Sequence, residues 1–292
     1  MQTSKPTKPA RPPAAARAPK RREQNDIIRD REANWWNLKS RKKVVTLFQS
    51  LVKTPDRHRR RAPALIAGPN EGKTRLVRFL RDEFKVERVN GSLVVKIVYV
   101  NMADVDNVAQ LMEELLRALG DVDPTAGNAK QRYGRFRELA RMAQLAVIFL
   151  DEFHDSVDAT GKGKPFLRAI KKMMNDEDAK FVVIPMGIPE LAGILRRDKQ
   201  LATRFSTVTG RLPRLKDLGE VKTIMQDLVG PGHPEVEDEC VLYAAAQTKG
   251  VLGHLLDLVE SALVIGNDRL TLKNLKEARN ELRDVLDDLD ES

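Results

Sequence analysis

Ala64-Leu-Ile-Ala-Gly-Pro-Asn-Glu-Gly-Lys-Thr74 decides the fold. The apolar run Ala62–Ala67 reads as a short buried strand, and Thr74–Phe84 reads as a helix. Between them lies a loop of small and turn-forming residues. Such a loop lets backbone N–H groups converge on a phosphate chain without side chains in the way. It also delivers the phosphates to a helix N-terminus, whose partial positive charge favours anions. In this reading Ala67, Gly68, Pro69, Asn70, Glu71, Gly72, Lys73 and Thr74 cradle a nucleotide. Lys73 reaches its β- and γ-phosphates, and the Thr74 hydroxyl ligates magnesium. Ala67 stands where the pattern usually has its first glycine, a departure its small side chain tolerates.

A second stretch, Val147-Ile-Phe-Leu-Asp-Glu152, is an apolar strand ending in two carboxylates. At the C-terminal edge of a parallel sheet, such a pair lies beside a phosphate loop. Asp151 is then the metal carboxylate, and Glu152 accepts a proton from, or orients, an attacking water. The two motifs in this order point to ATP, Mg2+ and ATP hydrolysis. A third stretch, Gln200-Leu-Ala-Thr-Arg-Phe205, offers Arg204, because phosphoryl transfer is strongly assisted by an arginine from a neighbouring subunit.

Outward from these motifs the chain alternates between strand and helix. Leu93–Val100, Leu145–Leu150, Phe181–Ile184 and Val208–Leu212 read as strands, which with 62–67 make a mostly parallel five-stranded sheet. Val105–Leu119, Ala129–Ala143, Lys164–Asn175 and Pro189–Arg196 read as helices between them. Beyond Pro213 the pattern is helical only, over 215–228, 235–248, 252–265 and 272–286. The expected division is a basic Pro/Ala-rich disordered tail (1–32), an N-terminal helical segment (33–61), an α/β ATPase core (62–212) and an α-helical lid domain (213–292).

Charge is unevenly placed. The net charge is +9, residues 1–22 hold seven Lys/Arg and no acid, and residues 281–291 are acidic. Such asymmetry fits a polyanion partner. The longest apolar run in the middle of the chain, 145–150, is far short of the roughly 20 residues that span a membrane. No secretory h-region opens the chain, and the lone Cys240 fits a reducing compartment, so a cytoplasmic location is expected. No His/Cys cluster has metal-ligand spacing.

With these motifs in order the chain resembles AAA+ P-loop NTPases, and more narrowly the TniB/TnsC group of transposition regulators. The resemblance spans about residues 33–212. It runs through the Trp-bearing lead-in, Ala-Gly-Pro-Asn-Glu-Gly-Lys-Thr, Val-Asn-Met, Phe-Leu-Asp-Glu-Phe-His, Met186-Gly-Ile-Pro-Glu-Leu and Arg-Arg-Asp-Lys-Gln-Leu-Ala-Thr-Arg-Phe. It implies an oligomer, ring or helical filament, that assembles on double-stranded DNA with ATP bound. It also implies recruitment of a DDE transposase, a target-selector protein as a further partner, and disassembly by hydrolysis. Arg204 becomes the arginine that acts in trans on a neighbour's nucleotide. Two departures stand out. Ile184-Pro-Met-Gly-Ile188 has no polar side chain where the group carries a sensor residue. Lys249-Gly-Val-Leu-Gly-His254 lacks the usual lid arginine, so His254 or Lys249 takes its place at the nucleotide. Both imply slow turnover.

Lys130, Arg132 and Arg135, at the start of the third core helix, are the DNA-contact candidates; Arg57–Arg61 and the tail are a second set. Trp35 and Trp36 are assigned to core or inter-subunit packing, with base stacking as the alternative. Two other functions fit the same motifs: an AAA+ replication initiator or helicase loader, and a nucleotide-gated protein scaffold that does not bind DNA.

Overall fold

The computed structural model describes residues 22–58, 61–157, 164–176, 178 and 180–287. The tail up to residue 21, Arg59, Arg60 and the last five residues lie outside the described residues. The N-terminal part holds α1 (Gln24–Ala33), α2 (Lys42–Lys53) and α3 (Pro55–His58). The core follows as β1 (Ala62–Pro63), β2 (Leu65–Ile66), α4 (Lys73–Glu83), β3 (Glu87–Val89), β4 (Ser92–Val94), β5 (Ile97–Asn101), α5 (Val108–Ala118) and α6 (Ala129–Met142). It continues as β6 (Val147–Asp151), α7 (Phe153–Ser156), α8 (Lys164–Asn175), β7 (Val182–Gly187), α9 (Glu190–Arg197), α10 (Lys199–Arg204) and β8 (Phe205–Ser206). The C-terminal helices are α11 (Leu218–Val229), α12 (Asp238–Thr248), α13 (Leu252–Ile265), α14 (Leu272–Glu281) and α15 (Arg283–Asp287).

The main sheet has four strands in the order β2-β7-β6-β5, all parallel. β6 and β7 are buried along their whole length, as a strand covered by helices on both faces must be. The register sets Asn101 opposite Asp151, and Ile66 opposite Gly187. Pairing of β7 with β6 runs out at Pro185, which has no N–H to give. Beyond it β7 pairs with β2, beside the loop that follows β2.

The fifth strand expected at Val208–Leu212 does not form. Gly210 passes so close to the backbone that a Cβ there would lie 2.1 Å from the Ala64 carbonyl oxygen, and one isolated bridge joins Ile66 to Arg211. The pairing moves upstream instead: Phe205 and Ser206 run parallel to Ala62 and Pro63 as a separate two-stranded sheet. The expected strand Leu93–Val100 is also divided. Its first part folds back on β3 as an antiparallel hairpin around Asn90-Gly91, both with positive φ, and only Ile97 onward joins the main sheet.

The N-terminal part departs from the sequence reading in two ways. The disordered tail does not reach residue 32: α1 buries Ile27, and Arg31 bonds Asp257 and Glu260 on α13 at 2.5 and 2.7 Å. The helical segment expected over 33–61 is interrupted, because residues 34–41 are non-helical and α2 starts only at Lys42. The break lets one segment serve two cores. Val44, Val45, Phe48, Leu51 and Val52 pack with the sheet, while Ile27, Trp36 and Leu38 pack with α11, α12, α13 and α14. Trp35 stacks on Phe79 of α4, and Arg75 lies over the Trp36 ring, so both indoles are engaged internally. Among the described residues no helix is long and apolar enough to cross a membrane.

A candidate nucleotide site

The loop between β2 and α4 is held in an anion-ready shape before any ligand is considered. Asn70 and Gly72 take positive φ, which turns successive backbone amides toward one side. Glu71 folds back, its Oε2 accepting from the Gly68 N–H at 2.8 Å, and its Oε1 accepting from Arg214 Nε at 2.8 Å. Lys73, nearly buried, curls over the loop and donates to the carbonyls of Ala67 and Gly68 at 3.0 and 3.1 Å. Those are weak partners for an ammonium group, which a phosphate would outcompete. Pro69 is exposed and makes the outer turn of the loop.

The expected metal pair is brought together. Thr74 Oγ1 donates to Asp151 Oδ2 at 3.1 Å, joining the first turn of α4 to the end of β6. A hydroxyl and a carboxylate so placed are hard oxygen donors, the set magnesium takes. Sequence reasoning missed a third member: Tyr99 on β5 donates its hydroxyl to the same Asp151 oxygen at 2.7 Å. Burial, and then the Asp151 carboxylate, push the Tyr99 phenol well above its usual range, so it stays a donor. The signal was available in principle: Tyr99 and Asn101 alternate on one face of a strand whose register ends opposite Asp151.

Glu152 sits just past the strand in a left-handed conformation (φ 48°), half-exposed, where its carboxylate is free of the sheet. His154, one residue into α7, places Nδ1 3.4 Å from Glu152 Oε2. It has room to do so because Gly187 ends β7 without a side chain; a Cβ there would come within 2.9 Å of that nitrogen.

The C-terminal helices close on the loop from the other side. The N–H of Gly253 donates to the Asn70 carbonyl at 2.8 Å, and His254 Nε2 lies 3.3 Å from Asn70 Nδ2. His254 is buried, and desolvation holds its pKa below the ordinary value. Lys249 is exposed at the left-handed end of α12.

The remaining expected residues lie elsewhere. Arg204 ends α10, and its Nη1 donates to the Lys171 carbonyl at 3.4 Å. Among the described residues no ion pair or hydrogen bond joins it to Lys73, Thr74, Asp151 or Glu152. Of the DNA-contact candidates, Lys130 is exposed, but the two arginines are occupied. Arg132 pairs with Glu113 at 2.5 Å and donates to the Thr125 carbonyl. Arg135 bonds Asp121 and the carbonyls of Asp123 and Ala126, each at 3.0 Å. Together they brace the 121–126 turn, a structural use that leaves few donors for phosphate.

Comparison with known proteins bears on the family and the fold. The family model described as bacterial TniB protein matches residues 27–216. No curated protein matches the chain. Among solved structures, the Aeropyrum pernix ORC2 protein, in ADPNP–ADP complexes, is similar at 16% identity and TM-score 0.63, covering 87% of this chain and 71% of that one. The Aeropyrum pernix ORC1 protein in complex with DNA is similar at 19% identity and TM-score 0.59, covering 89% and 69%. Domain III of the Thermotoga maritima replication initiation protein DnaA is similar at 17% identity and TM-score 0.52, covering 87% and 96%. The fold is thus that of the AAA+ P-loop ATPases.

Proposed function

The chain belongs to the TniB family and is an AAA+ ATPase, and from that premise we propose that it is an ATP-dependent, DNA-binding regulator of transposition. In this reading it oligomerises on double-stranded DNA and recruits or activates a DDE transposase, and hydrolysis releases the assembly. The observation that carries the nucleotide part is the meeting of Thr74 and Asp151 at the mouth of a loop already gripped by Lys73.

The roles follow from position. The loop amides and Lys73 hold the triphosphate, with Lys73 exchanging its two carbonyl partners for phosphate oxygens. Thr74 and Asp151 hold magnesium, which would supply Lewis-acid neutralisation of the phosphate charge. Tyr99 donates to the same Asp151 oxygen as Thr74, and the Glu152 N–H donates to the other, so the carboxylate is held in one orientation beside the hydroxyl. Glu152 orients the attacking water and takes its proton. Asn70 and His254 carry the state of the loop into α13. Arg204 acts on the nucleotide of an adjacent copy, which fits its lack of any bond to its own loop. The division into core (62–212) and lid (213–292) puts the nucleotide beneath the junction of the two.

DNA binding is supported by the family, by the net charge of +9 and by the DNA complex of a protein of similar fold. Exposed Lys130 remains a contact candidate, whereas Arg132 and Arg135 act chiefly through the shape of the turn they hold. Anisotropy titration of duplex DNA, with and without a non-hydrolysable ATP analogue, tests the reading. Binding is expected only with nucleotide, with strong salt dependence. Equal binding in both arms removes the switch, and no binding in either favours the protein-scaffold alternative.

A further inference from the structure

We infer that Arg41, in the N-terminal segment, is a further nucleotide-binding determinant: a buried cation set against the phosphate loop and left without an anion of its own. The inference rests on the nucleotide site proposed above.

Arg41 is 1% exposed, among the most buried large side chains of the molecule. Its guanidinium lies against Gly72, where a Cβ would come within 3.1 Å of Nη1. Its Nη2 reaches the Pro213 carbonyl at 3.3 Å, a long bond, and its buried Nε has no hydrogen-bond partner among the described residues. Two carboxylates are near enough to attract it, but each is bonded elsewhere. Glu71 accepts from Gly68 and Arg214, and Glu220 accepts from the Ser40 N–H at 2.8 Å and the Ser40 hydroxyl at 2.6 Å. Desolvation pushes the guanidinium down to about 10, with Glu71 and Glu220 offsetting only part of the burial.

A buried arginine without an ion pair is costly, and its usual remedy is an opposite charge. The anion that this position favours is a polyphosphate on the loop, because Arg41 packs on one of that loop's own residues. In a poorly solvated setting a charge packed on a residue of the loop counts appreciably for an anion bound to that loop. Arg41 also touches Pro213, where the core hands over to the C-terminal helices, so its charge balance is felt at that junction.

The test is the full chain carrying Arg41→Met or Arg41→Lys, with Lys43→Met as an exposed control. Thermal melting without ligand and calorimetric titration with ADP and ATP are measured for each. Removing an unpaired buried charge should leave the ligand-free melting temperature of Arg41→Met equal to or above the parent. Its Kd for both nucleotides should rise about tenfold, with Arg41→Lys between the two and Lys43→Met like the parent. A lowered ligand-free melting temperature with parental Kd would make Arg41 structural and overturn the inference. Parental binding by Arg41→Met, with the parent itself binding ATP, overturns the inference and leaves the nucleotide site intact. A parent that binds no nucleotide sinks the site itself.

Discussion

At the residue scale the chemistry divides between holding and cutting. Lys73 and Thr74 belong to the first turn of α4, so their loss should abolish nucleotide binding: Lys73→Ala is expected to give no heat on titration with ATP. Glu152 stands outside that set. Glu152→Gln removes the proposed base while keeping the shape, so ATP should bind normally while turnover falls about 100-fold or more. The protein should then stay on DNA after ATP addition, read by anisotropy decay; release at the parental rate would exclude Glu152 as the hydrolytic residue. Gly187 belongs to the same picture. An alanine there needs space that His154 Nδ1 occupies, so the ring must move away from Glu152.

At the element scale, the stability of the core and the grip of α13 can be separated. Phe48 is fully buried on α2 and tilted against Phe149 of β6. Phe48→Ala should cost about 3–5 kcal/mol in denaturant unfolding, the usual range for an emptied aromatic site. Gly253→Ala makes a different demand: its Cβ would come within 2.7 Å of the Asn70 Cβ and 2.9 Å of the Asn70 carbonyl oxygen. The helix must back off the loop, so nucleotide affinity should fall while far-ultraviolet helicity holds; unchanged affinity would show that α13 does not clamp the ligand. Much of this was legible beforehand. The loop, the apolar strand ending in Asp151-Glu152 and the helix at 252–265 follow from local periodicity and turn chemistry. The parts that were not legible depend on contacts distant in sequence. The helix break at residues 34–41 exists because Trp36 and Val44 belong to different cores. The missing strand at Val208–Leu212 follows from Gly210 abutting Ala64. The burial of Arg41, and the internal use of Arg132 and Arg135, cannot be read from a run of basic letters.

At the scale of the whole molecule, His254 and Asp268 are among the groups that set a dependence on acid. Burial keeps His254 below its ordinary value of 6.5, so the unfolded chain binds that proton more readily than the native one. The stability it contributes is complete above 6.5 and is lost as pH falls through the depressed native value. Asp268 behaves alike further down. Burial works to raise it, but hydrogen bonds from Arg22 and the charge of His233 win, so its contribution is held above 3.8 and lost below. Melting temperature should therefore be flat between pH 7 and 8, decline below 6.5, and decline again in stronger acid. His254→Gln should erase the first step; a persistent step would place its origin elsewhere.

The small pairing of β1 with β8 carries a consequence for the proposed oligomer. Arg204 is followed at once by Phe205, which is zipped to Ala62, only a few residues upstream of the loop that would grip the triphosphate. If Arg204 acts on an adjoining copy as proposed, a tug on it would be passed along one short strand to the subunit's own phosphate loop. In an assembly of that kind occupancy should spread in contiguous runs, like falling dominoes, with loss starting from a spent end while the interior holds.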